Sequence, residues 1–291
     1  MTHTLTRSQT VVAWDGSEPA RAALDWSLAR SSGGSSGGEL TLVRILDRTV
    51  SSADYFTEES ATERAREVLK DAVDRVSARY PTLTVHADLR SGDPITELRA
   101  LSGTDTLVVV GTHRRRGSTL RYEWSMGARL AGSAHGPIAI IPEGDSKHHS
   151  GIVVGVDGSA ASNAAVDFAA AEADRTGQEL HAIHAWQEPL VWRDTTEPDA
   201  QFLQTLESSH RRILDEALLA ASRRYPALGI RASLVRGAPQ SALLDAARGA
   251  ALLVIGDHGL KGMSKMLLGS VSHSIVLNIQ SPMVVIPAPH A

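Results

Sequence analysis

Two short stretches in the second half of the sequence carry residue types able to hold a polyphosphate. The first is Gly256-Asp257-His258-Gly259-Leu260-Lys261-Gly262, followed seven residues later by Gly269-Ser270. Glycines at this density let main-chain N–H groups approach an anion without obstruction by Cβ. Apolar residues at Val271, Ile275, Val276 and Ile279 predict a helix that opens at Gly269-Ser270. Free N–H groups and the dipole favour negative charge at such a terminus. Ser270 could cap that helix or donate its hydroxyl to a phosphate. A glycine-rich turn ahead of a serine cap explains the same letters, and spacing alone leaves both readings open. The second stretch is Val154-Gly155-Val156-Asp157-Gly158-Ser159. Asp157 could accept hydrogen bonds from a ribose or an adenine amino group. Taken alone, an Asp-Gly turn that caps the next helix is the simpler reading.

The elements that must position these residues are duplicated. Val11-Val-Ala-Trp-Asp15-Gly16-Ser17 recurs as Val153-Val-Gly-Val-Asp157-Gly158-Ser159, an offset of 142. Tyr80-Pro81 recurs as Tyr225-Pro226 and Leu107-Val-Val-Val-Gly111 as Leu252-Leu-Val-Ile-Gly256, both offset by 145, as are Pro137 and Pro282. A period this long indicates duplicated domains rather than a solenoid. The polar segment at 143–150 marks the boundary, giving domains 1–145 and 146–291. In the first half, Thr10–Trp14, Leu40–Leu46, Leu83–Leu89, Thr106–Val110 and Ile138–Ile141 are short apolar runs of the kind found in strands buried on both faces of a parallel sheet. Helical periodicity lies between them, at Ala65, Val68, Leu69, Ala72, Val73 and Val76 and again at Ile213, Leu214, Ala217, Leu218 and Ala221. The expected fold class is α/β: two tandem Rossmann-like doubly wound domains. Ligands in such sheets bind beyond the strand C-termini, where the winding reverses.

Composition removes several classes of function. Net charge is −4 and pI about 6.3, so no basic footprint for nucleic acid is present beyond the short Arg114-Arg115-Arg116 run. There is no cysteine, which excludes disulfides, thiolate metal sites and a cysteine nucleophile. No run approaches the roughly 20 apolar residues of a membrane span, and residues 1–9 lack a signal-peptide core. A cytoplasmic protein is expected. Gly33-Gly-Ser35-Ser-Gly37 matches a nucleophile-elbow pattern by letters only, since it follows a helix rather than a strand. His181 and His184 lie three apart on a strand and should face opposite ways, which suits no shared metal.

Taken together, residues 154–159 and the spacing Gly256-x2-Gly259-x9-Gly269-Ser270 resemble the ATP-binding branch of the universal stress protein family, over nearly the whole chain. The resemblance implies a five-stranded, mostly parallel sheet per domain and bound ATP, with magnesium as an accompanying cation. It implies that Asp157 and Ala185 hold the adenosine, Ile255 and Gly256 border the nucleoside, and Gly259, Gly269, Ser270 and Val271 take ribose and phosphates. It further implies association through the last strand, as homodimers or between the two halves. The first half departs from the pattern. In the ungapped register, Gly111 to Pro137 matches Gly256 to Pro282. Arg114 then replaces Gly259 and Trp124 replaces Gly269, while Asp15, Gly111 and Ser125 persist. The expectation is an ATP-binding signalling module whose second half holds the nucleotide. A slow ATPase or nucleotidyl transferase using Asp257 and His258, or a nucleotide-free adaptor, are the alternatives.

Overall fold

The computed structural model describes residues 9–32, 38–47, 58–113, 126–144, 149–188, 200–258, 268–278 and 280–288. The chain forms two compact units, Met1–Gly144 and Asp145–Ala291. The first unit runs β1 (Gln9–Ala13), α1 (Glu18–Ser32), β2 (Glu39–Leu46), α2 (Glu58–Arg79), β3 (Thr84–Ser91), α3 (Pro94–Leu101), β4 (Thr106–Thr112), α4 (Met126–Ala131) and β5 (Ile138–Pro142). Its strand order is β3-β2-β1-β4-β5, with every pair parallel.

The second unit runs β6 (Ile152–Gly155), α5 (Ala160–Thr176), β7 (Leu180–Trp186), α6 (Ala200–Arg224), β8 (Ile230–Arg236), α7 (Pro239–Ala247), β9 (Leu252–Asp257), α8 (Ser270–Asn278) and β10 (Met283–Pro287). Its order, β10-β9-β6-β7-β8, repeats the same scheme in parallel pairs. The chain winds outward from β6 through β7 to β8, then returns to the other side of β6 as β9. The winding therefore reverses between β6 and β9, and a crevice opens at their carboxyl ends. The fold class is the α/β architecture expected from the alternating patterns.

Burial follows position in the sheet. Central strands are sealed on both faces: Val108, Val109 and Val110 of β4 and Leu253 and Val254 of β9 are wholly buried. The outer strands β3 and β8 contain only exposed and half-buried residues instead. The apolar run at Leu83–Leu89 thus corresponds to an outer strand, not to a strand buried on both faces. In α2 the periodic residues Ala65, Leu69, Ala72 and Val76 are buried, while Val68 stands 43% exposed. No described helix is long and apolar enough to cross a membrane.

Helix α5 explains one of the singled-out glycines. It packs an alanine-rich face, with Ala161, Ala165, Ala169 and Ala173 at most 1% exposed. Small side chains bring its backbone onto β9. A Cβ added at Gly256 would stand 2.5 Å from the Ala161 carbonyl carbon and 2.6 Å from Ser162 N. At Gly111 the same addition would meet the Pro19 carbonyl oxygen at 2.1 Å. Both glycines are demanded by helix–strand approach, whatever else they border.

Candidate functional site

In the second unit the crevice between β6, β7 and β9 is a cleft of ≈ 220 Å³. It is walled by Val156, Ile183, Ala185 and Ile255, floored by Pro239 and Leu243 of α7, and closed at one end by Gly269 to Ser272 of α8. Asp157, Ala185, Ile255, Gly256, Gly269, Ser270 and Val271, singled out from the sequence, all line this one cleft. Gly259 and Gly262 lie outside the described residues.

Asp157 leaves β6 through an Asx turn. Its Oδ1 accepts from the Ser159 N–H at 2.9 Å, and Gly158 supplies the left-handed φ of 81° that the turn needs. Ser159 then caps α5, its hydroxyl accepting from the Ser162 N–H at 3.0 Å. The turn-and-cap role read as the simpler alternative is therefore present. It engages only one carboxylate oxygen. The other, Oδ2, lies 2.9 Å from His258 Nε2 across the cleft mouth, both side chains being half-exposed. Partial burial pulls the Asp157 carboxyl upward. Hydrogen bonds from Ser159 and Ser162 and the attraction of His258 outweigh it and hold the group below the ordinary carboxylate value.

The start of α8 differs from the serine cap considered above. The Gly269 carbonyl accepts the first helical bond, from His273 N–H at 2.8 Å, so Gly269 is the capping position and Ser270 the first helical residue. The Gly269 N–H donates to Asp257 Oδ1 at 2.9 Å. Asp257 is 5% exposed and clasps the end of β9 to the helix terminus. Among the described residues the Ser270 hydroxyl makes no hydrogen bond, and Ser270 lines the cleft. Gly269 carries no positive φ, and among the described residues an added Cβ would meet only Asp257 Oδ1, at 3.4 Å. Among the described residues, neither the backbone conformation nor the packing demands glycine there.

Sequence reasoning placed Asp257 beside the site only as an orienter of water, and it passed over Pro239 and Leu243. The signal for the floor was present as the repeated Pro94 and Pro239, each in the first turn of a helix after an outer strand.

The first unit holds the equivalent cleft, at ≈ 160 Å³. Asp15 and Gly111 line it, as do Pro94 and Leu98, the counterparts of Pro239 and Leu243. Trp14, Ile45 and Met126 stand where the second unit has Val156, Ala185 and Val271. Asp15 Oδ1 accepts from the Ser17 N–H at 2.9 Å, repeating the Asx turn. Thr112 takes the place of Asp257, and His113 pairs with Glu143 at 2.9 Å rather than with Asp15. Arg114, Trp124 and Ser125 lie outside the described residues.

The other histidines separate as their spacing requires. His181 contacts Ser233 and Arg231 on the neighbouring strand, while His184 contacts Val156 and His210. Among the described residues no group of three or more His, Cys, Asp or Glu side chains is arranged for a metal ion.

Comparison with known proteins agrees with this architecture. The sequence profile of the universal stress protein family matches residues 7–142 and 150–287. A universal stress protein of Mycobacterium tuberculosis is 31% identical over 242 residues, covering 78% of this chain and 72% of that protein. One from Mycolicibacterium smegmatis is 29% identical over an alignment of 304 residues, covering 98% and 99% of the two chains. The crystal structure of a universal stress protein from Archaeoglobus fulgidus superimposes with a TM-score of 0.70 at 18% identity, covering 97% of this chain and 99% of that one. With two family repeats spanning most of its length, this chain belongs to the universal stress protein family as a tandem-domain member.

Proposed function

We propose that the second half, residues 146–291, binds ATP in the cleft between β6 and β9 and serves as a nucleotide-dependent signalling module. The observation that carries the reading is Gly269. A glycine that none of the described residues requires stands at a helix N-terminus and lines the cleft, beside a serine hydroxyl with no described partner. Phosphate oxygens are the natural occupants of such a place. Asp157 and Ala185 would hold the adenosine, Ile255 and Gly256 border it, and Gly259, Gly269, Ser270 and Val271 take ribose and phosphates. Magnesium would travel with the phosphates as their counter-ion.

The hydrolytic alternative finds less support. Asp257 is committed to the Gly269 N–H and His258 to Asp157, so neither stands ready as a base for water. The adaptor alternative leaves Gly269 without a reason. Mass spectrometry of nucleotide released from freshly purified protein, with its stoichiometry, tests the proposal. Protein that carries no nucleotide and binds none in calorimetry sinks it, and a turnover assay on the loaded protein separates binder from enzyme.

Association through the terminal strands is part of the same proposal. Ile138–Ile141 and Met283–Ile286 are short and apolar, and each strand ends the order of its own unit, an edge of the kind that proteins cover by pairing. Light scattering of Val285→Lys checks this. Unchanged oligomeric state and stability remove β10 as an interface.

A further inference from the structure

His184 stands on the opposite face of β7 from the cleft-lining Ile183 and Ala185, and it is 5% exposed. Its Nδ1 lies 2.7 Å from the Val156 carbonyl oxygen, so that nitrogen carries the proton and donates. Its Nε2 lies 2.8 Å from His210 Nδ1 on α6. With both rings neutral, His210 Nδ1–H donates and His184 Nε2 accepts, which fixes the tautomer that Val156 needs. His210 is itself held between rings, with centroids 5.0 Å from His184 and 4.9 Å from Trp186.

The target of this relay is the residue before Asp157. Val156 has just left β6; its N–H still donates to the Ile183 carbonyl at 2.8 Å, while its carbonyl takes the His184 proton. The peptide that leads into Asp157 is therefore oriented from β7 at both ends of Val156. We propose that His184 is a positioning residue for the nucleotide site: it holds the Val156 carbonyl, and through it the turn that presents Asp157, while His210 fixes its tautomer. This rests on the nucleotide reading given above.

The first half supplies an independent parallel. Ala13 pairs with Val43 and Gly155 with Ile183, so Arg44 occupies the strand position of His184. Arg44 Nη1 donates to the Asp15 carbonyl oxygen at 3.3 Å. The same place on the second strand thus fastens the same turn in both halves, by different donors. Arginine needs no partner to set its protonation, and the position of His210 is Ala65 in the first half, counting back from the repeated Tyr80 and Tyr225.

Three variants of the full chain test the proposal, each measured for ATP affinity by calorimetry, for urea midpoint, and for hydrogen exchange at the Ser159 amide that Asp157 holds. His184→Leu is expected to weaken ATP binding about tenfold and to speed Ser159 exchange by a similar factor. His184→Asn, whose side-chain N–H stands near the lost Nδ1–H, should restore both to within about threefold. His210→Ala should fall between them. If the leucine and asparagine variants lose stability alike and both bind ATP as the unaltered protein does, His184 is only a packing residue and the proposal fails. If the unaltered protein binds no ATP, the nucleotide reading falls instead. Ser159 exchange then decides alone, and an unchanged rate in His184→Leu overturns the positioning role.

Discussion

At the end of its first strand the second half places Val156 and the first half Trp14; at the end of the next strand, Ala185 stands against Ile45; at the start of the last helix, Val271 against Met126. Three substitutions by larger side chains accompany a cleft of ≈ 160 Å³ in place of ≈ 220 Å³. Around them the scaffold is unaltered: the same strand order, the same Asx turn after the first strand, and the same glycine pressed against a helix backbone. The comparison separates residues that make the fold from residues that make the cavity. It also extends to the end of the fourth strand, where Thr112 stands in place of the carboxylate by which Asp257 holds Gly269.

The largest expected effect comes from copying the first half's indole into the second. Gly269→Trp should weaken ATP binding by more than about a hundredfold while the protein stays folded, because main-chain donors cannot reach phosphate past that ring. Calorimetry on a variant with an unchanged urea midpoint reads it, and retained affinity would remove the phosphate-loop assignment.

A second contrast concerns the glycines. Gly256→Ala and Gly111→Ala should each destabilise their unit by about 3 kcal/mol, since a methyl group must displace helix backbone. Gly269→Ala should change stability by less than about 0.5 kcal/mol and act on nucleotide affinity instead. Denaturant titrations of the three variants check this. Equal losses in all three would show that Gly269 is structural after all.

Stoichiometry is the third. One ATP per chain is expected at appreciable affinity, in the Asp157–Ser270 cleft. Ala185→Ile, the first half's residue, should lower that affinity about tenfold by filling part of the cleft proposed for the nucleoside. Equilibrium dialysis decides the matter, and two equally occupied sites would show that the narrower cleft is no obstacle.

The smallest effect is on pH. Burial, and then the neighbouring His184, lowers the pKa of His210; burial, and then Arg231, lowers that of His181. Folded, both groups take a proton less readily than they do unfolded. The stability this contributes is present above about pH 6.5 and is lost as pH falls through the folded values. The first half has Thr41 and Ala65 at these positions. Urea midpoints measured at about pH 7.5 and 5.5 should therefore converge in a His181→Gln, His210→Gln double variant, and an unaltered pH slope would place the sensitivity elsewhere.

What the sequence reveals depends on how local the cause is. The Asp157-Gly158-Ser159 turn is legible because its hydrogen bonds span two or three residues, and the parallel sheet because each central strand is a continuous apolar run. The outer strands read as more buried than they are, since apolar letters do not tell which strand ends a sheet. Gly256 is visible as a glycine, but its reason is not: Ala161, the atom it must avoid, is 95 positions away. Likewise, His184 and His210 become one unit only after β7 and α6 have packed. The ungapped register of the two halves, in contrast, is recoverable from Pro137 and Pro282, and the pairings Val108–Ile138 and Leu253–Met283 keep it.

The contact of Gly111 with Pro19, and of Gly256 with Ala161, also bears on how such a duplicated gene can change. Both contacts lie on the helix-facing side of a central strand, although Gly111 and Gly256 also border the clefts. A mutation that swells a wall residue, as at Trp14 or Ile45, leaves that seam intact, so the altered copy still folds and is not eliminated for misfolding. Drift in ligand preference is thereby uncoupled from drift in solubility. One copy can change the shape of its cleft while its twin keeps its own.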